Sequence, residues 1–192
     1  MGNKTTVAIT KDQFKNIIST IKEGFMHDGK HFFPNIKLAT ALIIEANLGI
    51  RIGDVLNLTL NNFIKDGNRW RLNIIEEKTN KPRKFTVQNE IYNYIKMYVL
   101  ENNIKYNAKM FQVKERNIQQ NLQIVAKYLK MDNIGTHSFR KYFATSLYNN
   151  NDHDIILVQQ LLQHSSPAIS QKYIGISSQL IEEALNNHVC LP

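Results

Sequence analysis

The sequence carries basic side chains of the kind that bind a phosphodiester. Arg51 lies in the apolar segment Leu48-Gly-Ile-Arg-Ile-Gly-Asp54, and Arg140 follows His137 by three residues. A guanidinium group binds nonbridging phosphate oxygens through paired, charge-assisted hydrogen bonds. It would therefore stabilise the negative charge that develops during phosphoryl transfer. His137 can add a hydrogen bond or carry a proton in the same reaction.

The sequence also offers a nucleophile and a general acid for that chemistry. Tyr173 follows His164 by nine residues, and its phenol is a nucleophile that can leave again because phenolate is a fair leaving group. Lys78 lies in a loop between two predicted strands, from which an ammonium group can reach into a DNA groove and protonate a departing alkoxide. Guanidinium groups would carry the electrostatics, so the sequence predicts neither a metal nor a cofactor.

Other motifs for cofactors are missing or incomplete. The sequence has no phosphate-binding P-loop and no dinucleotide-binding glycine pattern. His27 and His31 have i, i+4 spacing, but they lie in a predicted loop and lack a third ligand. The single cysteine, Cys190, excludes an internal disulfide framework and indicates a cytoplasmic protein.

Each candidate residue also has a structural explanation when it is taken alone. Arg51 would pair with an acid such as Glu45 or Asp54. His164 would interact with the dipole at the end of a helix, and Tyr173 would be a half-buried core residue. The pair formed by a histidine and an arginine three residues apart would be a solvated helical face.

The overall charge favours a polyanionic partner. The 192 residues include 24 Lys and Arg and 16 Asp and Glu, which gives a formal net charge of +8 at pH 7. Neutralisation of phosphates releases condensed counterions, so nucleic acid is the ligand class that such a charge favours. A mildly basic protein without such a partner is the alternative. The most apolar stretch, residues 38–50, is interrupted by three polar residues, so no membrane span is predicted.

The pattern of capping residues and apolar positions predicts a mostly helical chain. Thr10 and Gln13 form a capping box before the first helix, Asn35 caps the second, and Gly49 ends it. Residues 24–34 are predicted to be a loop, and a short helix is predicted over residues 53–58. Further helices are predicted over residues 89–101, 114–130, 138–149, 154–162 and 179–186.

After the short helix predicted over residues 53–58, the spacing of the apolar residues changes from the period of a helix to that of a strand. Residues 70–75 and 83–87 are predicted strands, with a hairpin loop over residues 76–82 and an edge strand at residues 62–65. The predicted fold class is therefore α+β, a mostly α-helical domain with a small three-stranded antiparallel sheet.

In this order and at these spacings, the motifs resemble the catalytic domain of tyrosine recombinases, the phage-integrase family. The resemblance covers residues 10–185. It extends from the Leu-Gly-Ile-Arg51 segment, through Lys78 in a strand–loop–strand and His137-Ser-Phe-Arg140, to Leu-Gln-His164 and Tyr173. It implies a tyrosine-recombinase catalytic fold.

The resemblance implies a role for each residue. Arg51 and Arg140 would hold the scissile phosphate, and His164 would donate a hydrogen bond to it. Tyr173 would attack the phosphate and form a 3′-phosphotyrosyl link, with His137 as a general base or hydrogen-bonding partner. Such a link conserves the energy of the broken bond, so rejoining needs neither ATP nor metal.

The same resemblance makes Lys78 the general acid for the 5′-hydroxyl leaving group. Lys81 and Lys84 share its hairpin, so this assignment is the least specific. Lys81, Lys84 and Lys141 are additional candidates for contacts with the DNA backbone. Gln163 stands where the family often has glycine, and Phe139 where it often has leucine, but neither departure removes a chemical group.

The resemblance also sets expectations for organisation and partners. Residues 1–9 would be an N-terminal extension and residues 10–192 the catalytic domain, without the N-terminal core-binding domain of many family members. The partners would be double-stranded DNA and other recombinase protomers in a tetrameric synaptic complex, and the source a mobile genetic element such as a phage. The apolar stripe Leu180, Ile181, Ala184 and Leu185 would dock on a neighbouring protomer or pack on its own core.

Two other functions fit the same residues. A type IB topoisomerase uses similar arginine, lysine, histidine and tyrosine chemistry to relax supercoils without synapsis. A non-catalytic DNA-binding regulator could retain the same side chains. The short chain and the Gln-His164-Ser-Ser segment argue against the topoisomerase, and the retained tyrosine and arginines argue against the regulator.

Overall fold

The computed structural model of the chain describes residues 5–174. The chain divides into two compact units, one that ends at Phe143 and one that begins at Ala144. This boundary falls inside a helix, and the two units are described separately. Within the described residues, no helix has both the length and the apolar composition that crossing a bilayer requires.

The first unit contains most of the secondary structure. Its helices are α1 (Lys11–Glu23), α2 (Ile36–Leu48), α3 (Ile52–Leu56), α4 (Asn89–Glu101), α5 (Glu115–Tyr128) and the first part of α6 (Thr136–Asn150). Its strands are β1 (Phe25–His27), β2 (Lys30–Phe32), β3 (Phe63–Asp66), β4 (Arg69–Ile75) and β5 (Pro82–Val87), and a 3₁₀ turn spans Leu60–Asn62. The second unit contains α7 (Ile155–Leu162) and α8 (Pro167–Ile174).

The predicted caps of the first two helices are confirmed. Thr10 accepts a hydrogen bond from the Gln13 backbone N–H at 3.1 Å, and the Gln13 side chain accepts from the Thr10 backbone N–H at 2.9 Å. The Asn35 side chain accepts from the Leu38 backbone N–H at 2.9 Å. These caps satisfy backbone N–H groups that have no partner inside a helix.

The predicted three-stranded sheet is confirmed, with strand order β3-β4-β5 and antiparallel pairing. Asn73 lies opposite Lys84 and Ile75 opposite Pro82, so the β4–β5 connection begins directly after Ile75. On one face of the sheet Leu72 is fully buried, and the Trp70 ring stacks on Tyr92 of α4. The sheet is thereby attached to the helical core by its apolar face, while the β4–β5 turn projects from it.

Two elements differ from the sequence-based expectation. Residues 24–34 are not a simple loop, because β1 and β2 form an antiparallel hairpin there, with Asp28 and Gly29 at positive φ in its turn. Helix α8, which carries Tyr173, was not predicted. The predicted helix over residues 179–186 and the apolar stripe within it lie outside the described residues.

The core of the first unit is built around α2. This helix is apolar on most of its circumference, so nine of its thirteen residues are buried. Helices α1 and α5 each contribute one apolar face, represented by Ile17 and Leu122, which are fully buried. The end of α2 is therefore fixed from several sides, and this matters because the chain turns there into the segment with Arg51.

Gly49 makes that turn possible. Its φ of 58° is left-handed, its N–H bonds the Glu45 carbonyl oxygen at 2.9 Å, and an added Cβ would overlap the ring of Phe143. Gly67 in the β3–β4 turn has a similar φ of 60°, but an added Cβ there meets no atom within 4 Å.

We predict that Gly49→Ala lowers the free energy of unfolding by about 3 kcal/mol or more, because a backbone penalty of about 1–2 kcal/mol adds to the steric overlap. Gly67→Ala is the matched control and pays only the backbone penalty. Urea unfolding of both variants measures the difference, and equal losses would show that the overlap with Phe143 is relieved without cost.

Candidate active site

The fold projects Arg51 from a buried turn. Ile50 and Ile52 on either side are buried, and Arg51 is the N-cap residue of α3 with an extended backbone conformation. Its side chain is 23% exposed, so the two buried isoleucines anchor the turn while the guanidinium group reaches the surface.

The partner of Arg51 is Glu76, which the sequence analysis did not identify. Arg51 Nη1 donates to Glu76 Oε2 at 2.6 Å, and the side chain of Glu76 is only 1% exposed. Arg83 Nη1 donates to the other carboxylate oxygen, Oε1, at 3.0 Å, and Thr79 Oγ1 donates to Oε2 at 2.9 Å. One buried carboxylate thus receives hydrogen bonds from two arginines and a hydroxyl.

The surrounding charges and hydrogen bonds keep Glu76 and Arg83 ionised. Burial alone would raise the pKa of Glu76, but the hydrogen bonds from Arg51 and Thr79 and the charges of Arg51 and Arg83 lower it below the usual value. Burial and the nearby charge of Arg140 lower the pKa of Arg83 to about 10, while Glu76 opposes that shift. Both groups therefore stay charged near neutral pH.

Arg83 also secures the turn that carries Arg51, because its Nη2 donates to the Gly49 carbonyl oxygen at 3.3 Å. It is 2% exposed. A signal for it exists in the sequence, since strand alternation places Arg83 on the same face of β5 as the buried Val87. A cation on the inner face of a strand requires a buried acid, and Glu76 at the end of the neighbouring strand supplies it.

Lys78 lies in the β4–β5 turn and is exposed. The turn is closed by hydrogen bonds from Glu76 N–H to the Lys81 carbonyl oxygen and from Asn80 N–H to the Glu76 carbonyl oxygen, at 2.9 and 2.8 Å. The Glu77 N–H donates to the buried carboxylate of Asp54 at 2.8 Å, which ties the turn to α3. These hydrogen bonds fix the backbone of the turn, which carries Lys78.

Helix α6 presents His137 and Arg140 three residues apart, as predicted. Near its start, the Ser138 N–H donates to the Gly135 carbonyl oxygen, and the Gly135 N–H donates to Ser138 Oγ. Arg140 is 2% exposed. Burial, followed by the charges of Arg140, Arg51 and Lys78, lowers the pKa of His137 below its usual value.

Three of the predicted site residues line one cavity of about 310 Å³ in the first unit. They are Arg51, Lys78 and His137. The remaining lining residues are Ile52, Gly53, Asp54, Glu77 and Glu115. The structure therefore brings together a guanidinium, an ammonium and an imidazole group that are separated widely in the sequence.

Two buried acids lie near this cluster. Glu45 is fully buried, and burial raises its pKa well above the usual value even though the charge of Arg140 opposes the shift. Burial also raises the pKa of Asp54, against the hydrogen bond from the Glu77 N–H. Sequence analysis named both acids as partners for Arg51, but Glu76 is the acid that forms the ion pair with it.

The second unit positions His164 and Tyr173 on neighbouring elements. Helix α7 ends at Leu162, and Gln163 adopts a left-handed conformation with φ of 55°. His164 follows, and its ring centroid lies 5.1 Å from that of Tyr173. Nδ1 of His164 lies 2.9 Å from Oγ of Ser170. When Ser170 donates to Nδ1, the ring proton is on Nε2.

The other predicted lysines have different environments. Lys81 and Lys84 are exposed in and after the hairpin turn. Lys141 is partly buried, its ammonium group donates to the Thr6 carbonyl oxygen at 2.6 Å, and burial lowers its pKa. Contacts of these three residues with DNA stay predictions.

His27 and His31 lie in the β1–β2 hairpin, opposite Lys30 and Met26 respectively. This register places the two rings on opposite faces of the hairpin. In the part of the chain that the structure describes, no cluster of three or more His, Cys, Asp or Glu side chains is suited to hold a metal ion.

Comparison with known proteins identifies the family. The profile of the Phage integrase family matches residues 8–179. The probable integrase/recombinase YoeC of Bacillus subtilis is 31% identical over 153 residues, which cover 74% of this chain and 79% of YoeC. The tyrosine recombinase XerH of Helicobacter pylori is 23% identical over 196 residues, which cover 95% of this chain and 52% of XerH. The chain belongs to the phage integrase family, as its motifs predicted.

Solved structures show the same fold. XerH bound to a palindromic difH substrate in a post-cleavage complex has a TM-score of 0.69 at 21% identity, over 95% of this chain and 53% of that chain. The catalytic domain of bacteriophage HP1 integrase has a TM-score of 0.65 at 14% identity, over 95% of both chains. The predicted catalytic fold is confirmed, and the chain spans about half the length of XerH.

We predict that Arg83→Met lowers the free energy of unfolding by about 3 kcal/mol, because it removes one cation from a buried carboxylate. Arg69→Met is the control, since Arg69 pairs with Asp66 at the exposed end of the same sheet and its loss should cost less than about 1 kcal/mol. Chemical denaturation measures both, and a loss of similar size for both variants would contradict the structural role of Arg83.

We also predict that the His137 ring titrates below pH 6.5 and is neutral at pH 7. The unfolded chain then binds more protons than the folded one as the pH falls below 6.5, so this group reduces stability there. Removal of a nearby positive charge by Lys78→Met should move the midpoint up, whereas Lys65→Met outside the cavity should not. NMR titration of the imidazole signals measures the midpoints, and an unchanged midpoint in Lys78→Met would contradict the shared cavity.

Proposed function

We propose that this chain breaks and rejoins double-stranded DNA at specific sites through a 3′-phosphotyrosyl intermediate. The observation that carries the proposal is the cavity of the first unit, where Arg51, Lys78 and His137 converge in a member of the phage integrase family. Each of these three groups has a defined use in phosphoryl transfer.

Phosphate binding is the first requirement of the reaction. Arg51 and Arg140 provide permanent positive charge, and a guanidinium group matches the geometry of phosphate oxygens. Loss of one preorganised donor of this kind typically slows a reaction by about 10²–10³-fold. His164 supplies a further hydrogen-bond donor.

Proton transfer is the second requirement. Attack by Tyr173 on phosphorus forms the phosphotyrosyl bond and breaks the bond to the 5′ oxygen, which must leave with a proton. Lys78 donates that proton, and His137 accepts the phenolic proton or a hydrogen bond from it. The lowered pKa of His137 keeps this ring unprotonated and able to accept. Reversal of the steps joins a new 5′-hydroxyl.

The relatives support DNA as the substrate. XerH has been solved with its difH substrate both before and after cleavage, and the integrase of the transposon Tn1549 has been solved with circular intermediate DNA. We extend this partner to the present chain, whose net charge of +8 suits a polyanion. We further propose that the chain acts with other protomers in a tetrameric synaptic complex. Its place of action would be the cytoplasm, and its source a mobile genetic element.

We predict that Tyr173→Phe abolishes the SDS-resistant adduct with a nicked duplex, because it removes the attacking oxygen. Noncovalent DNA binding should change little, since the ring is retained. The nick lets a short cleaved strand diffuse away, so the wild-type adduct accumulates and can be measured on a denaturing gel. An adduct of equal yield from the variant would disprove the assignment of the nucleophile.

The adduct assay, together with assays of strand exchange and of supercoil relaxation, separates the rival functions. Adduct formation excludes a non-catalytic regulator, and strand exchange between two duplexes excludes a topoisomerase that only relaxes supercoils. Relaxation without strand exchange would instead favour the topoisomerase.

We predict that Lys78→Met slows cleavage by about 10²–10⁴-fold, the usual contribution of a general acid. A substrate with sulfur in place of the 5′ bridging oxygen should restore its rate towards that of the wild type, because a thiolate leaves without a proton. Lys81→Met tests the neighbouring candidate. Restoration by sulfur in Lys81→Met, and not in Lys78→Met, would move the general-acid role to Lys81.

A further inference from the structure

Glu76 lies at the junction of two parts of the site. Its carboxylate pairs with Arg51 on the turn between α2 and α3. Its backbone N–H and carbonyl group close the β4–β5 turn through Lys81 and Asn80, and Lys78 lies inside that turn. A single residue therefore connects the phosphate-binding arginine to the loop that carries the proposed general acid.

The contact with Glu76 restricts how Arg51 can point. One terminal nitrogen of Arg51 is bonded to Glu76 Oε2, and among residues 5–174 no other hydrogen bond of this side chain occurs. The guanidinium group is planar, so an anchor on Nη1 defines the direction of the remaining N–H groups. Arg51 also lines the cavity, so those remaining donors are available to a ligand there.

The charges around Arg51 make such an anchor necessary. Arg83 and Arg140 are both buried nearby, and the positive charges of Arg140 and Arg51 both lower the pKa of Arg83. Without a carboxylate, like charges would drive the partly exposed Arg51 side chain towards solvent. Glu76 provides the negative charge, and Thr79 Oγ1 fixes the orientation of the carboxylate.

We propose that Glu76 is a positioning residue for DNA cleavage, which orients Arg51 towards the scissile phosphate and holds the Lys78 turn in register with it. The inference rests on the proposed function, since it concerns the same site. Arg83 has a structural role, because it forms a buried ion pair with the second oxygen of the same carboxylate.

The test uses single-turnover cleavage of the nicked duplex at saturating enzyme, with noncovalent DNA affinity measured in parallel. Glu76→Gln keeps the shape of the side chain and removes its charge. We expect it to cleave about 10–100-fold more slowly, by analogy with the loss of partners that orient metal ligands. The DNA affinity should change little. Glu101→Gln on the exposed surface of α4 is the control and should cleave at the wild-type rate.

A second variant separates positioning from stability. Glu76→Gln leaves Arg83 without its carboxylate, so part of any loss could come from destabilisation. Glu76→Gln/Arg83→Met removes both buried charges and should recover thermal stability relative to the single variant. A positioning role predicts that cleavage by this double variant stays slow. A purely structural role predicts that the cleavage rate recovers with the melting temperature, which would overturn the inference.

A double-mutant cycle identifies the residue through which Glu76 acts. In an Arg51→Ala background, Glu76→Gln should cause little additional loss, because the group that it orients is absent. Independent, multiplicative losses would overturn the link to Arg51, as would a rate for Glu76→Gln equal to or above that of the wild type. Absence of an adduct from the wild-type protein would instead refute the proposed function itself.

Discussion

The site depends on a buried carboxylate that must be balanced by positive charge. Glu76 is almost fully buried, and it is stable as an anion only because Arg51, Arg83 and Thr79 donate to it. Arg83 reaches further to the Gly49 carbonyl oxygen, so the same interaction fixes the end of α2. The sheet, the α2–α3 turn and the β4–β5 turn are held together by this one ionic group.

The same arrangement positions the groups of the proposed phosphate site. Arg51 is flanked by buried isoleucines, Lys78 is in a turn closed by backbone hydrogen bonds, and His137 is on a regular helix. The backbone that carries each group is thus held by local contacts, and preorganisation of this kind favours electrostatic stabilisation of a transition state. Burial, and after it the same concentration of positive charge, lowers the pKa of His137.

Local chemistry determined which features could be predicted from the sequence. The capping box at Thr10, the glycine that ends α2 and the alternation of β4 depend on neighbouring residues, and each is observed. The β1–β2 hairpin was missed because strands of three residues show no alternation, although Asp28-Gly29 is a typical turn signal. Helix α8 was missed although Pro167 suits a first helical position. The ion pair between Arg51 and Glu76 joins residues 25 positions apart, so a choice among several acids required the tertiary structure.

The most direct test of the account is to identify the residue that becomes linked to DNA. The SDS-resistant adduct with a nicked duplex should be digested with nuclease and protease, and the modified peptide fragmented in a mass spectrometer. We predict a nucleotide joined through its 3′-phosphate to Tyr173. A nucleotide on another tyrosine such as Tyr142 or Tyr148, on a side chain other than tyrosine, or joined through a 5′-phosphate would contradict this prediction.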